Sequence, residues 1–288
     1  MKQYFLLIFL FIQAKSFAQS PVDTTDFNTI YVCIDSLSYK QLFQNKYLKD
    51  TLFFCREQEE KTNAGSYTGK YLIGESATIE FFQPKNTDQL GDNFGDWGIE
   101  FKTRKINVLD QLIKKSSLLK FPIDTFTTTT SIDSLQISWY KSLSLKNTNN
   151  ELSILEYQAD YLKFLGFTNS QISQSMTQKQ FNEILSNGGK YPRQFSMVSY
   201  IKIYADKKLM DRLQKFAKLN NCRKYKNTFT NGETTIEYIK VKNLPEFPIQ
   251  EIGISLLNDQ IYHYEKISEN LEIKVQGKKA NLIFKYSN

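Results

Sequence analysis

The sequence predicts an α+β protein made of paired βαβββ units, and three observations predict it. Aromatic content is high, with 17 Tyr and 22 Phe in 288 residues, which suits strands better than helical bundles. Gly69 to Phe82 reads as two strands joined at Gly74-Glu75, and the second alternates: Ile79 and Phe81 point one way, Thr78, Glu80 and Phe82 the other. The pattern then returns. Thr78-Ile79-Glu80-Phe81 is followed by Gly98-Ile99-Glu100-Phe101, and Thr235-Ile236-Glu237-Tyr238 by Gly253-Ile254-Ser255-Leu256, as in an internal repeat.

The chain opens on an export signal. Lys2, the apolar run from Tyr4 to Ile12 and the small residues of Ser16-Phe17-Ala18 predict cleavage after Ala18. That run is too short to span a bilayer, and no Cys follows the cut to carry a lipid. The mature protein is expected to be periplasmic or extracellular, with no stable membrane anchor.

The first unit follows. Thr29 to Asp35 is a strand with Ile30, Val32 and Ile34 on one face and Thr29, Tyr31 and Cys33 on the other. Ser36 is placed to cap a helix carrying Leu37, Leu42 and Phe43. Leu52 to Glu59 is the next strand, before the pair around Gly74. A loop over 84–96 rich in Asp, Asn and Gly leads to the second unit. There Trp97 to Lys102 is a strand, and Asn107 caps a helix with Val108, Leu109, Leu112 and Ile113 on its apolar side. Thr125 to Thr130, Leu135 to Lys146 and Leu152 to Leu162 are its further strands.

Residues 163–194, rich in Ser, Gln and Asn, read as a linker with short helices. Thr177 and Gln180 form a capping box in front of Phe181, Ile184 and Leu185, and Asn187-Gly188-Gly189 ends that helix. A third unit occupies 195–288: a strand over Met197 to Tyr204, a helix capped by Asp206, and a hairpin around Asn231-Gly232. Glu251 to Leu257, 260–267, 271–276 and 279–286 read as strands, the last two turning near Gly277. The organisation is thus a signal at 1–18, a first domain at 19–162, a linker at 163–194 and a second domain at 195–288.

Charge separates the two halves. Residues 189–288 carry 18 basic against 10 acidic side chains, and residues 19–188 carry 17 against 20. Lys208, Arg212 and Lys215 on the helix after Asp206 are candidates for an anionic partner. Nucleic acid is not expected of an exported chain without a recognisable binding module. Cys33, Cys55 and Cys222 are odd in number, so at least one thiol stays unpaired, and a Cys33–Cys55 disulfide is one arrangement. No Ser-His-Asp or Cys-His nucleophile set is expected around the single histidine, His263.

Tyr31-Val32-Cys33-Ile34-Asp35-Ser36, Ser66-Tyr67-Thr68-Gly69-Lys70-Tyr71, Gly74-Glu75 and Ile79-Glu80-Phe81-Phe82 resemble an uncharacterised family of exported bacterial proteins. The unit order resembles the vicinal oxygen chelate (glyoxalase and bleomycin-resistance) superfamily. The resemblance implies curved, cup-like mixed sheets with helices on the outside. In its metal-dependent members, ligands on the first and last strand of each module point into the cup, as His or Gln, Glu, His or Glu, then Glu. Here those positions fall near Thr29, on Glu80, near Gly98 with Glu100 on the same face, and near Glu156. Glu80 and Glu156 resemble retained metal ligands, while both imidazoles are missing.

Carboxylates without imidazole suit a hard divalent cation such as Mg²⁺, Ca²⁺ or Mn²⁺, or a metal-free acid–base pair. Thr29, Tyr31, Glu80, Phe82, Glu100 and Glu156 are expected to line the cup, with Trp97, Trp139 and Tyr140 as further aromatic candidates. Three functions follow: a small-molecule-binding or scaffold protein with a degenerate metal site; a divalent-metal-dependent lyase, dioxygenase or isomerase using Glu80 and Glu156; and an interaction protein for anionic partners. The missing imidazoles favour the first, a binding protein rather than an enzyme.

Overall fold

The computed structural model describes residues 24–286, apart from 64, 133, 134, 146, 148 and 187–192. The export signal and the Asn187-Gly188-Gly189 helix end lie outside the described residues.

The first module is β1 (Thr25–Cys33), α1 (Ser36–Leu42), β2 (Phe54–Thr62), β3 (Gly65–Ile73) and β4 (Thr78–Phe82), with a single π-helical turn at Leu48–Leu52. The second is β5 (Trp97–Thr103), α2 (Val108–Leu118), β6 (Asp124–Ile132), β7 (Leu135–Ser144) and β8 (Asn150–Tyr157). β4 runs parallel beside β1, β8 runs parallel beside β5, and β1 pairs antiparallel with β5. The predicted paired βαβββ architecture is therefore present, but the cup closes further into an eight-stranded barrel.

The closing seam is short. β2 meets β6 in register only at Thr62–Thr130. Asn63 extends it beyond the strand: its backbone N–H donates to Thr129 O (3.2 Å), and its side chain donates to Thr127 O (3.1 Å) and accepts from Thr129 N–H (3.1 Å). One asparagine side chain here does the work of an extra strand residue.

Alternation explains which side of the barrel is which. Ile30, Val32, Ile79, Phe81, Ile99, Phe101, Leu152 and Ile154 point outward into the apolar core beneath the helices. The polar and aromatic positions between them point inward. Trp97 shares the parity of Ile99 and Phe101 and is fully buried in the outer core. It does not line the cup, as the sequence reading had it.

Three short helices cover one end of the barrel: α3 (Ala159–Phe164), α4 (Asn169–Ser173) and α5 (Gln178–Leu185). The strand expected to run to Leu162 instead stops at Tyr157 and turns into α3. Both Thr168–Gln171 and Thr177–Gln180 are complete capping boxes; the first is not among the sequence expectations. α5 is tied down by Asp26, which accepts from Gln178 N–H (2.8 Å) and is ion-paired with Arg104 (2.6 Å). Asn182 holds its other side through Glu75 O (3.0 Å). Phe181 then stacks on Tyr157 with ring centroids 5.0 Å apart.

The second sheet repeats the opening of the first. β9 (Phe195–Ala205), α6 (Lys207–Leu219), β10 (Arg223–Tyr225), β11 (Thr228–Thr230) and β12 (Thr235–Lys240) form a βαβββ unit with β12 parallel to β9. β13 (Ile249–Lys266) pairs antiparallel with β9, as β5 does with β1. The repeat then breaks: β14 (Leu271–Phe284) returns directly, antiparallel to β13, so this sheet stays open with six strands. The predicted turn at Gly277 is instead a bulge within β14. Its φ of +57° interrupts the ladder opposite Gln260, and the chain reverses between Lys266 and Leu271.

Both sheets share one core, in which Phe101 of the barrel packs edge-on against Phe216 of α6 (5.2 Å). Across that contact Arg212 is buried, donating to Asn150 Oδ1 and to the carbonyls of Leu145 and Asn150. The anion-patch expectation therefore fails at its centre. Arg212 is a packing residue on the buried face of α6, Lys215 is held by Asp211 (2.5 Å), and Lys208 by Asn147 (3.2 Å). No disulfide forms among Cys33, Cys55 and Cys222, so the Cys33–Cys55 bridge is also corrected. Among the described residues, no helix is long and apolar enough to cross a membrane.

Candidate functional site

The barrel encloses a cavity of about 500 Å³, within the range of small-molecule sites. Thr29, Tyr31, Glu80, Phe82 and Glu100 line it, together with Trp139 and Tyr140. β1 sits between the two acidic strands: Tyr31 is in register with Glu80 on β4 and with Gly98 on β5, and Thr29 with Glu100. A bulge between Phe27 and Thr29 gives β1 an extra residue, Asn28, whose amide donates to Glu100 at 2.7 Å.

Glu156 is elsewhere. It shares the parity of Leu152 and Ile154, so it points outward under α2 and is 6% exposed. Its carboxylate accepts from the backbone N–H groups of Asn107, Val108 and Leu109, each at 2.9 Å, and from the Thr103 hydroxyl at 3.3 Å. Asn107 stands at the N-cap with φ +67° and makes no side-chain cap bond. The helix is capped from the neighbouring strand instead. α1 differs in the same way, since Asp35 rather than Ser36 caps it through Ser38 N–H (2.9 Å).

Glycine explains the third ligand position. A Cβ on Gly98 would overlap the Tyr31 ring, and one on Gly69 would stand 2.7 Å from Phe82. These two inward positions are empty so that rings can lie across the strands. Tyr31, Tyr67 and Phe82 then meet edge-on, with centroids 6.0 and 5.7 Å apart. Gly98→Ala should cost about 2 kcal/mol by forcing Tyr31 aside. In a double-mutant cycle, Tyr31→Ala should recover at least half of that loss; additive losses would mean the ring and the glycine are uncoupled.

The chamber perturbs its acids. Burial pushes the Glu80 carboxyl up to about 8, aided by Glu60 and opposed by Arg56. Burial likewise lifts Glu100 to about 8, against its bond from Asn28 and with help from Glu80 and Glu151. Burial, with the nearby carboxylates, holds the Tyr31, Tyr67, Tyr71, Tyr140 and Tyr157 phenols in the neutral form. Beneath the barrel floor, Lys102 is lowered to about 8 by burial, with its ammonium 4.5 Å from the Phe181 ring. His263 stands apart, stacked on Tyr47 (3.7 Å) and bonded to Glu265 (3.1 Å).

The expected metal set does not assemble. Glu156 faces the helix, Gly98 is covered by Tyr31, and Thr29 offers only a hydroxyl. Among the described residues, no group of three or more His, Cys, Asp or Glu side chains is arranged to hold a metal ion. Glu151, missed by the sequence reading, lies in register with Gly98 on the inner face of β8. Strict alternation from Leu152 and Ile154 places Glu151 inside and Glu156 outside. Arg56, Glu60, Tyr67, Tyr71 and Tyr157 were missed as well, and only the curvature of β2, β3 and β8 brings them to the same chamber.

Fold and chamber together define a two-module βαβββ barrel with a ligand-sized interior. The chain belongs to a family of unknown function, DUF5829, whose model matches residues 27–284. No curated protein matches it. Among solved structures it is similar to the 2,3-dioxygenase LapB from Pseudomonas sp. KL28, with TM-score 0.44 and 6% identity over 91% of this chain and 92% of that one. It is also similar to a xylose isomerase-like TIM barrel/4-hydroxyphenylpyruvate dioxygenase fusion protein, with TM-score 0.42 and 11% identity over 77% of this chain and 32% of that one. A mutant 4-hydroxymandelate synthase from Streptomyces coelicolor gives TM-score 0.38 and 9% identity over 76% of this chain and 63% of that one. The chain thus spans about a third of the fusion protein and under two thirds of the synthase. Likeness at this level says nothing of this chain's chemistry.

Proposed function

We propose that the protein binds a small molecule inside the barrel, on a glyoxalase-like fold whose metal site has degenerated. The observation that carries this is the chamber itself. It is large enough for a ligand, it is lined by aromatic rings, and the Glu80 carboxyl opens into it with no hydrogen bond or ion pair among the described residues. Nothing in the packing requires an acid there, and a buried acid without a partner costs stability. The features of residues 1–18 support action outside the cytoplasm; the exported protein should then begin at Gln19 by N-terminal sequencing.

Thermal unfolding tests the reading. After chelation, a ligand held at about 100 times its Kd should add about 2.7 kcal/mol and raise Tm by several degrees. Tyr140→Ala should remove the shift. If instead Mg²⁺, Ca²⁺, Mn²⁺, Ni²⁺ or Zn²⁺ alone raises Tm, and Glu80→Ala abolishes that rise, the chamber is a metal centre and this reading fails.

A further inference from the structure

We propose that the barrel takes a small organic cation, an amine or quaternary ammonium group seated among the aromatic rings with Glu80 and Glu100 as its counter-charge. This rests on the reading of the chamber as a ligand site and gives that ligand its chemical class.

The argument is one of charge and surface. On a chain with 37 basic and 30 acidic residues, the chamber inverts the balance. Its lining holds Glu60, Glu80, Asp92, Glu100 and Glu151 but one basic side chain, Arg56. Asp92 is ion-paired with Lys85 at 3.0 Å, Glu151 lies in the field of the buried Arg212 guanidinium, and Arg56 is the one cation whose field Glu60 and Glu80 share. Glu80 and Glu100 have no ion pair among the described residues, and Glu100 accepts one hydrogen bond, from Asn28.

The walls around these two acids are π faces. Tyr31, Tyr67 and Phe82 form the edge-on cluster over Gly69 and Gly98, and Tyr140 and Tyr157 are in register across β7 and β8. Rings beside carboxylates that have no ion pair attract a cation through quadrupole and charge together, most strongly where water is excluded. Tyr71 bears on the amine form of the ligand. It lines the chamber at 6% exposure, and its buried hydroxyl has no hydrogen-bond partner; an amine's N–H reaching it would supply one, and a quaternary group would not. A neutral ligand leaves Glu80 and Glu100 protonated, whereas a cation stabilises their ionised form.

Calorimetric titration of the full chain tests this with matched probes: choline against 3,3-dimethylbutanol, and benzyltrimethylammonium against benzyl alcohol. Around Glu80 and Glu100 stand Tyr31 on β1, Arg56 and Glu60 on β2, Tyr67 and Tyr71 on β3, Tyr140 on β7, and Glu151 and Tyr157 on β8. A bound cation favours the ionised form of the acids beside it, so binding should release protons, and cation affinity should rise at least tenfold from pH 6.5 to 8.5. At pH 8.5 each cation should bind at least tenfold more tightly than its neutral partner. Glu80→Gln and Glu100→Gln should each erase most of that preference without weakening the neutral compounds.

Equal affinity for cation and neutral partner, or cation binding untouched by both substitutions, overturns the proposal. Neutral binding that Tyr140→Ala removes would keep the chamber as a ligand site while the cation falls. No heat from any probe overturns the cation, and the ligand reading itself then rests on the thermal screen.

Discussion

Glu80→Gln should make the protein more stable, and only above acid pH. The folded carboxyl titrates near 8 against 4.5 for an ordinary glutamate. As pH rises from about 4.5, the unfolded chain therefore gives up its proton while the folded one keeps it. Stability falls through that window and levels off above the folded value. The amide carries no charge in either state and escapes the loss. Wild type and variant should melt together at pH 4. At pH 8 the variant should lead by about 2 kcal/mol, or roughly 5 °C. This is well short of the full linkage value, because the carboxyl opens onto the chamber rather than into dry core. Glu100→Gln should behave alike, its amide oxygen keeping the Asn28 bond. The double variant should gain less than the sum, since Glu80 raises the titration of Glu100. Equal melting at pH 8 would show a carboxylate that is already ionised and hydrated.

Glu156→Ala should be among the most damaging single changes available. It removes the acceptor for three backbone N–H groups at the start of α2, which stay buried where water cannot replace it. It also removes an anion from the positive end of that helix. About 3 kcal/mol is expected, with amide exchange at Val108 and Leu109 accelerated well beyond the change in global stability. Glu156→Gln, which keeps one acceptor oxygen, should lose about half as much. A metal ligand would behave differently: both substitutions would leave the metal-free protein unharmed and change only its response to metal. Normal stability in Glu156→Ala would refute the capping role.

Much of the fold was legible because strands and helices write their parity and period into sequence. Ile79, Phe81, Ile99 and Phe101 mark the core face, and Glu80 and Glu100 on the opposite parity are inside the barrel for that reason alone. Asp206 and Thr177 announce helix starts through local chemistry, and both caps form. The errors have equally physical origins. Glu156 was matched to a ligand position by order along the chain, although it shares the face of Leu152 and Ile154. Ser36 and Asn107 look like caps, but a better acceptor stands at Asp35 in one case and on the adjacent strand in the other. Gly277 looks like a turn, yet a long antiparallel partner on β13 carries the strand straight through it. Arg212 looks like surface because α6 is basic, but its guanidinium fills a gap between the two sheets.

By itself the sequence determined the βαβββ units and the inward parity of Thr29, Tyr31, Glu80, Phe82 and Glu100. These depend on residue type and near-neighbour spacing, which the chain carries locally. Only the tertiary structure decided that the cup closes through Asn63, that Tyr31 lies across Gly98, and that Glu151 rather than Glu156 faces the chamber. It also decided that Glu80 and Glu100 have no ion pair among the described residues. Those facts depend on which strands curve toward each other and which charges meet across them, contacts between residues as much as 251 positions apart, as between Asp35 and Tyr286, that no local pattern encodes.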